Sequence, residues 1–277
     1  MARGWRTLRK APFSAWFGLV VILAYVIVAL FAPWIAPYRE TQVFAEPFAP
    51  WGGQFALGTD QLGRDMLTRL IYGARNSIGI AFATTLLSFA VGVTLGLIAA
   101  MDRGWIDQFL SSVVDVLMSI PSLIFSLVLL SMFGSTIPNL ILIIALFDST
   151  RVFRLARAVG LNVVVMEYVE AARLRGEGLG WLLRKEILPN IMPPLIAEFG
   201  LRFCFVFLTI SALSFLGVGI QPPTADWGSM VRENATLITY GDVTPLLPAG
   251  AIALLTVAVN FVVDWFLHTT SGLRDEH

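Results

Sequence analysis

The stretch Ser14–Ile35 reads SAWFGLVVILAYVIVALFAPWI and contains no charged side chain. About 20 predominantly apolar residues in a helix cross the hydrocarbon core of a bilayer. In that core every backbone N–H and C=O must be paired within the segment, which a helix achieves and a lone strand does not. The stretch therefore reads as a membrane-spanning helix, and its length and lack of a small-residue cleavage site speak against a removable signal peptide.

The same signal recurs along the chain. Asn76–Met101 carries no charge and reads as a second span. The uncharged run Val116–Phe147 is too long for one helix, and Gly134, Ser135, Pro138 and Asn139 divide it into spans near 109–133 and 137–157. Phe199–Val218 and Val243–Val263 anchor the fifth and sixth. Composition agrees: of 277 residues 57% are hydrophobic and only 14% charged, with mean hydropathy +0.77. A soluble domain has about a quarter charged residues, so a water-soluble globule is excluded. The 19 basic and 19 acidic residues cancel, which gives no sign of a nucleic-acid partner. The single cysteine, Cys204, excludes an intrachain disulfide.

Six spans place both termini on one side. With the N-terminus inside, the cytoplasmic segments hold Arg3, Arg6, Arg9, Lys10 and Arg103. The second internal loop adds Arg151, Arg154, Arg157, Arg173, Arg175, Arg184 and Lys185, and the tail adds Arg274. Outside stand only Arg39, Arg64, Arg69, Arg75 and Arg232. The bias puts both termini in the cytoplasm. Trp16, Trp34, Trp105 and Trp265 fall at span ends, where an amphipathic ring prefers the headgroup level.

Enzymatic constellations are missing. Neither lysine, Lys10 or Lys185, follows a glycine, so no P-loop is present. The two histidines, His268 and His277, form no metal-ligand spacing. No serine lies in Gly-x-Ser-x-Gly; the nearest text, Ala212-Leu213-Ser214-Phe215-Leu216, is apolar helix.

The internal loop between spans four and five, about 158–194, is the most informative stretch. It reads Glu167-Tyr168-Val169-Glu170-Ala171-Ala172-Arg173-Leu174-Arg175-Gly176 and later Ile187-Leu188-Pro189-Asn190. Glu170 to Leu174 favours helix, Gly176 permits the left-handed turn that ends it, and a second short helix follows. Small side chains at Ala171 and Ala172 would let another protein approach the backbone closely. The residues alone fit either a docking element or a solvated hairpin.

Glu-Ala-Ala, three residues, Gly, and later Ile-Leu-Pro resembles the cytoplasmic signature of permease subunits in binding-protein-dependent ABC importers. Gly58-Thr59-Asp60-Gln61-Leu62-Gly63-Arg64-Asp65 is similar to the first external loop of the C-type permease of dipeptide, oligopeptide and nickel importers. Leu213–Thr224 and Asp226-Trp227-Gly228 resemble that subfamily's last external loop. The resemblance implies an all-α fold of six transmembrane helices. One leading span (with residues 1–75) would precede a five-helix type I importer core like that of the methionine permease (76–277). It implies that the loop is a coupling helix docking on a separate ATPase through Glu170, Ala171, Ala172, Gly176, Leu188 and Pro189. The implied partners are a homologous B-type permease, two ATPase subunits carrying ATP and Mg, and a periplasmic or lipid-anchored solute-binding protein. This chain itself would hold no cofactor and hydrolyse nothing. The implied location is a bacterial inner membrane, and the importers resembled carry peptides, nickel chelates or opines.

Each motif also has its own physical reading. Asp60 can cap an interfacial helix whose Leu62, Met66, Leu67, Leu70 and Ile71 form one apolar stripe, leaving Arg64, Asp65 and Arg69 polar. With Thr59 and Gly63 these residues would shape the external mouth. Pro222, Pro223 and Gly228 would hold an exposed turn around Trp227, which with Asp226 fits either docking of an external binding protein or an anchor at the membrane interface.

Asp148 in span four and Glu198 and Arg202 in span five are ionisable residues inside the membrane, where the resembled family is mostly uncharged. Such groups usually pair and face a cavity. Glu198 and Arg202 stand i,i+4, and the depths of Arg202 and Asp148 let Arg202 bridge both acids. Two readings fit: a polar lining of a translocation path, or a buried structural pair. An alternative to the ABC importer is a proton-coupled secondary transporter using these three residues. Pro121 in span three and Gly92 and Gly96 in span two suit a kink and close helix packing.

Overall fold

The computed structural model describes residues 11–44 and 47–270, which build helices and no named strand. Arg3, Arg6, Arg9, Lys10, Arg274 and His277 lie outside the described residues. In chain order α1 is Phe13–Ile35, α2 Met66–Asp102, α3 Trp105–Ser119, α4 Ser122–Phe133 and α5 Ile137–Val164. There follow α6 (Glu167–Leu174), α7 (Leu179–Phe215, passing through a π segment at Leu183–Ile187), α8 (Trp227–Asn234) and α9 (Leu246–Thr270). The widened π turn precedes Pro189, whose ring would clash with the carbonyl of Lys185 in a regular α-helix.

Four of these, α1, α2, α7 and α9, are long and apolar enough to cross a membrane, and α3 with α4 adds a fifth if the pair is one broken span. The 28 residues of α5 measure about 42 Å, ample for a crossing. Asp148, Arg151, Arg154 and Arg157 give it too polar a composition to stand out as a span. The all-helical architecture is therefore the expected one, and six spans are compatible with it.

Three boundaries differ from the sequence reading. Pro121 does not merely kink a span near 109–133: α3 and α4 meet at 87°. Ile120, just before the proline, is driven to extended backbone (φ −96°, ψ 130°), which stops the helix. The second span begins ten residues earlier than Asn76, because Asp65 caps it at Met66 by accepting from the Thr68 N–H at 2.7 Å. No separate interfacial helix exists there, and Asp60 is not its cap. Finally, the fourth span does not end near 157 but runs on to Val164, so Arg151, Arg154 and Arg157, counted with the loop, lie well inside α5.

The core is built on α2 against α5. A Cβ at Gly92 would stand 2.6 Å from the Ser149 carbonyl oxygen, and one at Gly96 2.7 Å from that of Phe153. Small residues let the two backbones touch, as helices in lipid require when no hydrophobic effect drives them together. α7 and α9 pack on the same framework through Phe203, Phe207, Ile210, Leu255 and Val259, while α1 lies outermost on α2 and α9.

Candidate functional site

On the side of the molecule that carries Glu170, α6 ends as the sequence dictates. Gly176 takes φ +84°, the Glu177 N–H donates to the Ala172 carbonyl and the Gly176 N–H to that of Arg173. This closes the last turn with a left-handed glycine. Val169 and Ala172, three residues apart, share the inward face and pack on Leu182, Val163 and Met101. Ala172 is therefore buried in its own chain and is not part of an approach surface, which corrects the sequence reading. The outward face presents Glu170, Ala171, Arg173 and Leu174, the last 84% exposed. Leu188 is half-buried and Pro189 exposed, just after the π segment of α7. A Cβ on Gly176 would meet nothing within 4 Å, so that side of the turn is open.

On the opposite side the two other motifs lock together. Asp60 Oδ1 accepts from the backbone N–H of Leu62 and of Arg64, both at 2.9 Å. Its Oδ2 takes the Arg64 Nε at 2.7 Å and lies 3.2 Å from the Arg69 Nε. Gly63 supplies the left-handed turn (φ +70°) that brings Arg64 back onto Asp60. Arg64 Nη2 also donates to Glu233 Oε2 of α8 at 3.0 Å. Thr59 accepts from the Ala49 N–H and bridges Asp65. Asp60 and Arg69 are wholly buried, and Arg64, Asp65, Thr59 and Glu233 nearly so. Arg64, Asp65 and Arg69 are thus not a polar helix face but the inside of a lock.

Trp227 is likewise not exposed: it is 2% accessible. Its Nε1 donates to the Leu70 carbonyl at 2.9 Å, and its ring packs against Gly73, where a Cβ would sit 2.6 Å away. The rings of Tyr25 and Phe207 meet it edge-on. Asp226 caps α8 through the Ser229 N–H and accepts from Ser77 of α2, while burial pushes its carboxyl pKa up. These residues shape the loops from within and present no side chain for a partner to grip.

Between the two sides the structure brings Asp148, Glu198 and Arg202 together. Arg202 Nε lies 2.7 Å from Glu198 Oε1, and its Nη1 3.7 Å from Asp148 Oδ1. Ser88 of α2 donates to Asp148 Oδ2 at 3.0 Å. Arg202 also lies over the Phe205 ring, 4.6 Å from its centre. Among the described residues no cluster of His, Cys, Asp and Glu has the geometry to hold a metal ion.

Residues 92–269, from the last third of α2 almost to the end of α9, match the family described as binding-protein-dependent transport system inner membrane component. The chain belongs to this family. Residues 1–51 of the permease further match the N-terminal transmembrane domain of oligopeptide transport permease C. The permease is 37% identical over 265 residues to the di/tripeptide transport system permease protein DppC of Pseudomonas aeruginosa, covering 93% of this chain and 85% of that protein. It is 33% identical to the dipeptide transport system permease protein DppC of Haemophilus influenzae, covering 96% and 90%. A crystal structure of an amino acid ABC transporter with histidines shares the fold, with TM-score 0.54 and 19% identity over 73% of this chain and 94% of that one. As a permease component the chain is not an enzyme; the ATPase is a separate subunit. Membership sets aside the proton-coupled reading.

Sequence reasoning missed two contributors to these clusters in the permease. Glu233 was passed over because its partners, Arg64 and Arg69, lie more than 160 positions away. Arg151 was counted into a loop, although a charged residue one turn after Asp148 on an unbroken helix was already a signal.

Proposed function

We propose that the permease forms half of the translocation path of an ATP-driven importer of peptides or a related small solute. The path is completed by a homologous B-type permease and served by two ATPase subunits and an external solute-binding protein. The names of the relatives support the cargo class. The observation that carries the coupling role is the hairpin at Glu170. An eight-residue helix is held to the spans by Val169 and Ala172 while its other face stands free. ATP-driven closure of the ATPases would move this helix, and α7, continuous from Leu179 to Phe215, would carry the movement past Glu198 and Arg202. The inner ends of the spans follow the arginines, so α6 faces the cytoplasm and the Asp60–Glu233 lock faces outside. There the lock holds the shape of the mouth, and a binding protein meets the loops around it.

Gly176→Val tests the coupling role. An added Cβ meets nothing within 4 Å, yet a β-branched residue at φ +84° costs about 1–3 kcal/mol and pushes the turn out of shape. Membrane level should stay near that of the parent, whereas ATPase co-purification and uptake should fall at least about tenfold, since 1.4 kcal/mol is one decade. Wild-type co-purification and uptake would rule the docking role out. Orientation has its own test in a background lacking Cys204. Gln54→Cys should react with an impermeant thiol reagent from outside, and Gly180→Cys only after the cytoplasmic face is opened; both sites are exposed.

A further inference from the structure

Four charged residues stand on α5 between Asp148 and Arg157, and three of them have partners. Arg154 pairs with Asp115 at 2.6 Å, Arg157 with Asp107 at 2.6 Å, and Asp148 with Ser88 and Arg202. Among the described residues no ion pair or hydrogen bond engages the Arg151 guanidinium. Counted from Ile137, a hydrocarbon core of about 30 Å ends near residue 157, which puts Arg151 about 9 Å inside it. A charge at that depth is costly and is kept where a cavity or a partner receives it.

Arg151 is exposed on the surface of this chain, at the rim of a recessed region. It lines two adjoining recesses, one with Ser122, Ser126, Asp148 and Thr209 and one of about 290 Å³ with Pro121 and Thr150. Both lie beside the 87° break that Pro121 makes between α3 and α4. The larger is at the lower edge of the size range of ligand pockets, about 300–1,000 Å³. Of the acids only Asp148 shares a recess with Arg151; Glu198 and Arg202 stand behind it and line neither recess. Asp148 and Glu198 share a single cation, Arg202, so that group carries a surplus negative charge. The balancing positive charge, Arg151, stands one helical turn from Asp148, close enough for its charge to act on that carboxylate but not in an ion pair with it.

We propose that Arg151 is the carboxylate-recognition residue of the translocation path. Its planar fork receives the free carboxylate of a zwitterionic cargo, while Asp148, backed by Glu198 and Arg202, faces the ammonium end. The inference rests on the importer reading above and adds the residue and the chemical class. A guanidinium matches a carboxylate with two parallel hydrogen bonds, which an ammonium cannot do. Because Asp148 is already held by Ser88 and Arg202, it does not close Arg151 off, and the site stays open to a passing anion. The openness of the recess also lets the cargo leave, as conduction demands.

The test uses the whole importer in proteoliposomes with Cys204→Ser as parent. Arg151→Cys is added, and uptake of Ala-Ala, Lys-Ala and Glu-Ala is measured before and after treatment with aminoethyl or methyl methanethiosulfonate. Expected are labelling by both reagents and at least tenfold slower dipeptide uptake by the unlabelled variant. Recovery to at least a third of the parent rate should follow the charged adduct only. Membrane level and co-purification of the second permease and the ATPase subunits should match the parent throughout, which places the loss in transport and not in assembly. Labelling without any difference between the adducts overturns carboxylate recognition and leaves the importer reading intact. A thiol that neither reagent reaches, with or without ATP, overturns the placing of Arg151 in the path. Loss of the second permease subunit on purification of Arg151→Cys assigns the guanidinium to a partner carboxylate and also overturns the proposal. A parent that takes up none of the three dipeptides overturns the inference and the peptide reading together.

Discussion

Leucine at both Gly92 and Gly96 is expected to abolish the folded permease. A Cβ at Gly92 would stand 2.6 Å from the Ser149 oxygen and 2.7 Å from Val152 Cβ, and one at Gly96 2.7 Å from the Phe153 oxygen and 2.9 Å from Ala156 Cβ. Two of these four atoms are backbone, so no rotamer change relieves the contact and α2 must move away from α5. From the other side Gly160 meets Leu97 and Ala100 in the same way, so the seam is tight over three turns. Overpacking costs about 1–3 kcal/mol where side chains can yield. Two sites opposed by backbone should together cost roughly 5 kcal/mol or more, against a native stability of about 5–15 kcal/mol. The measurement is the yield and thermal unfolding of the detergent-solubilised protein. Gly79→Leu, on the same helix with nothing within 4 Å, is the control and should unfold within a few degrees of wild type. A double variant as stable as that control would show that α2 and α5 do not pack as described.

That seam was legible in the sequence, because two glycines four apart in an uncharged window have few other uses. The spans themselves were legible for a similar reason: in lipid, length and absence of charge decide, and no distant residue is needed to read them. Gly176 followed from local rules alone, since a helix that must stop needs a left-handed residue. What escaped depends on contacts far apart in sequence. Asp60 and Asp65 are both competent helix caps, and only the return of Arg64 and Arg69 toward Glu233 gives Asp60 to the turn and Asp65 to α2. A proline-rich stretch around Trp227 suggests an exposed ring. The slot that takes the ring is made by Gly73 on another helix, and nothing near Trp227 announces it. Pro121 predicts a break, but its 87° angle is set by how α3 and α4 each pack on α5. The path charges were half legible: spacing and depth bring Asp148, Glu198 and Arg202 together, whereas Arg151 is counted with the loop arginines although it lies inside the span near 137–157.

Arg69→Met is expected to be the most damaging single change outside the helix seam, and its rescue should be selective. Arg69 is wholly buried, with its Nε 3.2 Å from Asp60 and its Nη2 3.6 Å from Glu233. Removing one member of a buried ionic group leaves an uncompensated charge and costs about 3–5 kcal/mol. At about 2–4 °C per kcal/mol for a chain of roughly this size, the unfolding midpoint should fall by about 6–20 °C. The two acids do not suffer equally. Asp60 keeps the amides of Leu62 and Arg64 and the Arg64 side chain, so its oxygens stay satisfied. Glu233 has no hydrogen bond at Oε1 and shares Arg64 at Oε2, so it is the acid left short of charge. Glu233→Gln should therefore return about half of the loss in the Arg69→Met background, a coupling of about 0.5–3 kcal/mol. Asp60→Asn in the same background should return nothing, because its amide would place an N–H donor against donors already in place. Equal rescue by both, or by neither, would mean that the four charges act independently and that the first loop is not held to α8 by this lock.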